Sequence, residues 1–128
     1  MKKTFTISEV SKLTEIPIST LRYYENLDLI VPKRNEKNYR MYTLDDLNWI
    51  HFIRRAKATG MTLQKIIKYA KLREQGNQTI NKRLAILNEQ EAILNLEKNK
   101  ILEHIEFIEN KKSLYDSLLR EINKSEHI

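Results

Sequence analysis

The hydrophobic pattern is clearest in the second half of the chain. Ile80, Leu87, Leu94, Ile101, Ile108, Tyr115 and Ile122 recur every seventh position, with Leu84, Ile105 and Leu119 at companion positions. No glycine or proline interrupts residues 77–128, so the pattern predicts a long coiled-coil helix. Asn110-Lys111-Lys112-Ser113 reads as a candidate bend before a short last helix. Glu91, Lys98 and Lys112 interrupt the companion positions, and a uniform two-stranded zipper would bury charge there unless the pairing offsets it. Ile86, Ile93, Phe107 and Leu114 form a second apolar stripe that needs cover from another surface. A helix of some 30 residues extends about 45 Å, well past the width of a head of roughly 75 residues. That length favours a partner over a helix folded back on its own head.

Before Gly76 the apolar spacing is shorter and regularly punctuated. Thr6 with Glu9 forms a capping box, with Phe5 and Val10 placed as its hydrophobic staple, so a first helix starts at Ile7 and runs to about Leu13. Pro17 opens a second helix that carries Leu21 to Tyr24 and ends near Leu27. Two short helices joined by a tight turn make a helix-turn-helix, about residues 6–25. Pro32 blocks further helix, and Lys33 to Met41 around Asn35-Glu36-Lys37-Asn38 reads as a small hairpin or wing, about residues 31–42. Thr43 with Asp46 announces a third helix through Ile50 and Ile53 to Ala58, stopped by Gly60. Thr62 caps a fourth, with Ile66, Ile67 and Ala70 inward, which Gly76 closes. The division is residues 1–76 as a head and 77–128 as a helical arm.

Charge separates along the same line. Of the 23 Lys/Arg and 17 Asp/Glu in the 128 residues, the first 76 residues hold 15 and 8, and the remainder hold 8 and 9. The head is basic and suited to a polyanion, whereas a basic surface by itself is equally a solvated face. Cysteine is absent, which removes disulfides, thiolate metal ligands and cysteine nucleophiles, and fits a reducing compartment. No apolar run approaches the roughly 20 residues needed to span a bilayer, and the start leads into a polar helix. The expectation is a cytoplasmic protein that does not engage a membrane.

Candidate chemistry concentrates in Ser19-Thr20-Leu21-Arg22-Tyr23-Tyr24-Glu25 and in Asn38-Tyr39-Arg40-Met41-Tyr42. Arg22 has a planar fork for base edges or phosphate, and its alternative is a pair with Glu25 three residues on. Tyr23 is placed to press on sugar-phosphate, while Tyr24 packs inward. Ser19 and Thr20 put short hydroxyls in the first turn. Lys33, Arg34 and Arg40 give the wing its charge. Lys57, three residues before Gly60, is either a phosphate contact or a solvated lysine. Trp49 with Phe52 reads as packing. His51, His104 and His127 lack metal-ligand spacing, and no phosphate loop or nucleophile motif is present. No cofactor, metal or enzymatic role is expected.

From Phe5 to about Leu72 the chain resembles the mercury-resistance-regulator (MerR) family of bacterial transcription factors. The resemblance rests on Thr6-Ile7-Ser8-Glu9-Val10, Thr20 to Glu25, Tyr39 to Tyr42, and Phe52-Ile53-Arg54-Arg55 with Gly60 and Thr62-Leu63. It implies a mainly α fold: a winged helix-turn-helix head followed by a long antiparallel coiled-coil dimerisation helix. It also implies a homodimer paired through Ile80, Leu84, Leu87, Leu94, Ile101, Ile105 and Ile108. Such a dimer binds a near-palindromic operator in double-stranded promoter DNA. It acts on RNA polymerase indirectly, by bending and untwisting that DNA. In the wing the resemblance makes Tyr39 and Arg40 backbone contacts, and it gives Lys57 a phosphate at the end of the third helix.

Three residues stand where that family usually has glycine: Glu15, Asp28 and Asn38. Asp and Asn tolerate a left-handed backbone, and Glu15 there costs about 1 kcal/mol relative to Gly. The family's sensory cysteines are absent. The position used by its aldehyde-sensing branch corresponds to Arg55, so thiol and thiolate-metal sensing are chemically excluded. The alternative reading is an architectural DNA-bending protein that regulates no promoter.

Overall fold

Thr6 starts the head by a reciprocal exchange: its hydroxyl accepts from the Glu9 amide at 3.2 Å, and the Glu9 carboxylate accepts from the Thr6 amide at 3.0 Å. The computed structural model describes residues 3–126 and divides into two compact units, Met1–Leu87 and Asn88–Ile128. The first unit contains α1 (Ile7–Thr14), α2 (Ile18–Asn26), α3 (Leu44–Ala58) and α4 (Leu63–Glu74), with short strands β1 (Thr4–Phe5), β2 (Lys33–Arg34) and β3 (Arg40–Thr43). The last helix, α5 (Ile80–Glu126), begins there and makes up the second unit.

The strands form one antiparallel sheet in the order β1-β3-β2, with Phe5 opposite Tyr42 and Arg34 opposite Arg40. The wing hairpin agrees with its turn residues. The N-terminal strand β1 does not show in the sequence, because two residues are too few to display a two-residue alternation. Thr43 and Asp46 repeat the capping exchange at 3.1 and 2.9 Å and launch α3 straight out of β3. The start of α3 is thereby fixed beside the wing.

Glu15, Asp28 and Asn38 have φ values of 60°, 57° and 65°. Each ends or turns an element where the chain must reverse. The turn at Glu15 is stapled from both sides. Ser11 Oγ donates to the Ile16 carbonyl at 2.6 Å, and Thr14 Oγ1 donates to the Val10 carbonyl at 2.7 Å. Those bonds hold a residue that has no glycine-like freedom. In the wing, the Asn35 side-chain oxygen accepts from the amides of Lys37 and Tyr39 and closes the turn over Asn38.

Val10, Leu21, Tyr42, Ile50, Ile53 and Ile66 are wholly buried and tie α1, α2, β3, α3 and α4 to one core. Trp49 stacks with Phe52 at 5.5 Å and Tyr69 at 6.1 Å between ring centroids, with the Arg73 guanidinium 4.6 Å from the indole centroid. Trp49 and Phe52 are therefore packing residues, as the sequence suggests. Gly76 takes φ 97°, a left-handed conformation that favours glycine, before a 3-10 turn at Asn77–Thr79. Buried Thr79 donates its hydroxyl to the Leu72 carbonyl at 2.5 Å, and Arg83 donates to Thr79 Oγ1 and to the Gly76 carbonyl.

One correction concerns the arm. The expected bend at residues 110–113 and the short last helix are not found: α5 runs unbroken from Ile80 to Glu126. Asn110 and Ser113 carry only small propensity penalties, and without glycine or proline nothing there removes a backbone hydrogen bond. Ile86 of the second stripe is covered by the head's own core. Phe107 and Leu114, farther along, are exposed.

Candidate nucleic-acid interface

The 100° step of α2 sorts its residues. Leu21 and Tyr24 turn into the core, while Arg22 and Tyr23 face outward, Tyr23 being 50 % exposed. The rings of the two tyrosines lie 6.2 Å apart, one seated in the core and one on the surface. Among the described residues Arg22 forms no ion pair, so its guanidinium is free on that face. Burial raises the Tyr24 hydroxyl above its ordinary pKa, and neighbouring Tyr23 adds to the shift. The phenol stays neutral.

The pairing of Arg22 with Glu25, open from spacing alone, is not the one adopted. The carboxylate of Glu25 turns to the wing, where one oxygen accepts from Arg34 Nη2 at 2.8 Å and the other from Arg40 Nε at 2.5 Å. Partial burial pushes the Glu25 carboxyl up, and the hydrogen bonds and charges of Arg40 and Arg34 outweigh it, leaving the pKa below the usual carboxylate value. Arg34 also donates from Nη1 to the Asn38 carbonyl at 3.1 Å, so that through Glu25 the wing turn is tied to α2.

Between these elements lies a cleft of about 290 Å³ lined by Thr6, Ile7, Arg22, Arg34, Asn38, Tyr39 and Arg40. Four residues singled out in the sequence, Arg22, Arg34, Tyr39 and Arg40, therefore converge although they come from α2, both wing strands and the turn. Thr6 and Ile7 bring the N-terminus of α1, whose amide ends favour negative charge. Ser19 and Thr20 lie in the first turn of α2, Lys33 on the exposed face of β2, and exposed Lys57 in the last turn of α3; none of these lines the cleft. Sequence reasoning does not place Thr6 and Ile7 at the site. Glu25 and Asn38 stand in the candidate segments, but Glu25 only as an alternative partner for Arg22 and Asn38 only as a turn residue.

The seam residues of α5 are uncovered within the chain. Ile80, Leu84, Leu87, Leu94, Ile101, Ile105 and Ile108 are between 37 and 57 % exposed, and Ile101, His104, Ile105 and Ile108 border an open apolar groove of about 400 Å³. An apolar stripe of that length is unlike a monomer's surface. No helix among the described residues is long and apolar enough to cross a membrane, and no group of three potential metal ligands is found among them. His127 lies outside the described residues.

Comparison with known proteins agrees with this geometry. Residues 5–72 match the profile described as "MerR HTH family regulatory protein" and residues 47–106 the one described as "MerR, DNA binding". The HTH-type transcriptional regulator YyaN of Bacillus subtilis (strain 168) is 32 % identical over 91 % of this chain and 94 % of its own length. The chain spans only about half the length of some other curated relatives, 59 % of the regulator AdhR of Bacillus subtilis (strain 168) and 49 % of the mercuric resistance operon regulatory protein of Bacillus cereus. Among solved structures, a protein from Listeria monocytogenes assigned to the MerR family of transcriptional regulators is 29 % identical. It has a TM-score of 0.79 over 94 % of this chain and 92 % of its own. HiNmlR, described as a MerR family regulator lacking the sensor domain and bound to promoter DNA, is 27 % identical. Its TM-score is 0.74 over 89 % of this chain and 91 % of its own.

Proposed function

Because the chain belongs to the MerR HTH family of regulatory proteins, we propose that it binds promoter DNA as a homodimer and regulates initiation by bending and untwisting that DNA. The chain is a DNA-binding transcriptional regulator and not an enzyme. The observation that carries the finer reading is the convergence of Arg22, Arg34, Tyr39 and Arg40 on one cationic cleft beside the exposed face of α2. The same fold has been described on promoter DNA in HiNmlR.

In this reading α2 enters the major groove. Arg22 reaches a base edge or the adjacent phosphate with its fork, and Tyr23 lays its ring on the sugar-phosphate and donates its hydroxyl to a phosphate. Ser19 and Thr20 contact the backbone from the first turn. Tyr39 and Arg40, with Lys33 and Arg34, hold the flanking strand through the wing, and Lys57 takes a more distant phosphate. The exposed α5 seam meets the seam of a second copy, antiparallel, so two heads sit at a set span along one face of a near-palindromic duplex. Bending a site of 20–30 base pairs costs roughly 1 to 6 kcal/mol, which phosphate contacts offset. Polymerase then responds to the altered promoter. The protein works in the cytoplasm.

Footprinting on genomic fragments with purified protein tests this. Two protected half-sites of related sequence, one or more helical turns apart, are expected. Protection of a lone half-site, or binding indistinguishable from that to bulk DNA, refutes it. The architectural alternative loses ground to the family match and would be revived only if initiation at the bound promoter were unchanged in transcription with purified polymerase.

A further inference from the structure

Glu25 is an acid of α2 whose carboxylate faces the two wing arginines Arg34 and Arg40. Its two oxygens occupy the Arg34 Nη2 and Arg40 Nε donors at 2.8 and 2.5 Å, the arrangement that a DNA phosphate would otherwise take up with the same guanidinium groups. The three side chains are 21, 37 and 23 % exposed for Glu25, Arg34 and Arg40, so the group is partly shielded from solvent and its charges are not fully screened. Arg22, one turn earlier on α2, is left without an ion pair among the described residues, although the i, i+3 spacing would let Glu25 reach it. The acid therefore neutralises the wing while leaving the base-reading arginine free.

That asymmetry has a consequence for selectivity. Non-specific binding comes almost wholly from phosphate neutralisation, whereas operator binding adds contacts that need the recognition helix and wing in register. A carboxylate that occupies one donor of each of two wing arginines lowers, without abolishing, the charge that they offer a phosphate. The same carboxylate fixes the wing at one position relative to α2, which benefits only the duplex that fits. Resting on the DNA-binding reading above, we propose that Glu25 is a specificity-determining residue. It acts through Arg34 and Arg40, holding the wing in register for the operator and withholding their charge from other DNA.

The test compares the full-length wild-type protein with Glu25→Gln and Glu25→Asp. Affinities for the footprinted operator and for a scrambled duplex of equal length are measured by fluorescence anisotropy across a salt series, and circular dichroism monitors folding. Glu25→Gln keeps the shape and removes the charge. It is expected to bind the scrambled duplex more tightly, with a salt slope steeper by about 0.9 to 1.8 as one or two arginines gain phosphates. The ratio of operator to scrambled affinity is expected to fall about tenfold, equivalent to roughly 1.4 kcal/mol. Glu25→Asp retains the charge and is expected to keep the wild-type slope on scrambled DNA. A folded Glu25→Gln protein that loses affinity for both duplexes equally, with an unchanged slope, overturns the proposal and leaves Glu25 as a structural tie. If Glu25→Gln does not fold, a steepened slope in Glu25→Asp overturns it. Failure of the wild type to prefer any duplex would instead refute the DNA-binding reading itself.

Discussion

The indole N–H of Trp49 donates to the main-chain carbonyl of Leu29 at 2.9 Å, joining α3 to the loop that leaves α2. This buried bond sets where the chain turns toward the wing, so the stacked aromatic group stabilises the geometry of the cleft from behind. Trp49→Phe retains much of the apolar contact, strands the Leu29 carbonyl and removes much of the indole that Arg73 covers. It is expected to destabilise the head by about 1 to 3 kcal/mol, read as a lowered midpoint in urea denaturation. An unchanged midpoint would mean the bond is not made in solution.

Arg22 and Lys57 should separate discrimination from simple attraction. Arg22→Ala is expected to narrow the gap between operator and unrelated DNA by roughly 1 to 3 kcal/mol, the range for one well-made base contact. Lys57→Ala should weaken both about equally and flatten the salt slope by about 0.9. Anisotropy titrations at several salt concentrations distinguish the two patterns. Equal losses on both duplexes for Arg22→Ala would remove its base-reading role.

The lowered pKa of Glu25 makes part of the head's stability pH-dependent. A carboxyl whose folded-state pKa lies below its unfolded value, near 4.5, contributes stability that is fully present above that value. The contribution is lost as pH falls from there through the folded-state pKa. Chemical denaturation of wild type and Glu25→Gln should therefore differ most near neutral pH, and the difference should shrink as the pH is taken below about 4.5. A gap that widens on acidification would mean the ion pairs with Arg34 and Arg40 are not formed.

On the arm, Ile101 and Ile108 lie on the uncovered seam, 57 and 54 % exposed. Placing a charge there has little effect on an isolated helix and a large one on a paired seam, where an unpaired charge would be buried. Ile101→Asp is expected to shift the protein from dimer to monomer in sedimentation equilibrium and to abolish two-site footprints, with the head still folded by circular dichroism. A variant that sediments as wild type would place the dimer contact elsewhere.

Much of this could be read along the chain because the forces involved are local. The capping exchanges at Thr6 and Thr43 join residues three apart. The seven-residue seam is a property of one helix, whereas the left-handed positions at Glu15, Asp28 and Asn38 are marked only by the resemblance to a family that usually has glycine there. The bend expected at residues 110–113 failed for the converse reason. Weak local signals such as Asn110 and Ser113 do not break a helix whose hydrogen bonds continue on both sides.

What the tertiary structure alone decided is the partner of each charge. Spacing offered Glu25 a neighbour three residues away, and the fold gave it two guanidinium groups nine and fifteen residues downstream instead. It likewise brought the start of α1 against the wing and left Arg22 unclaimed. Helices and turns are set by interactions within a few residues. A pairing across elements depends on where β3 pins the wing beside α2, and no sequence interval encodes that distance.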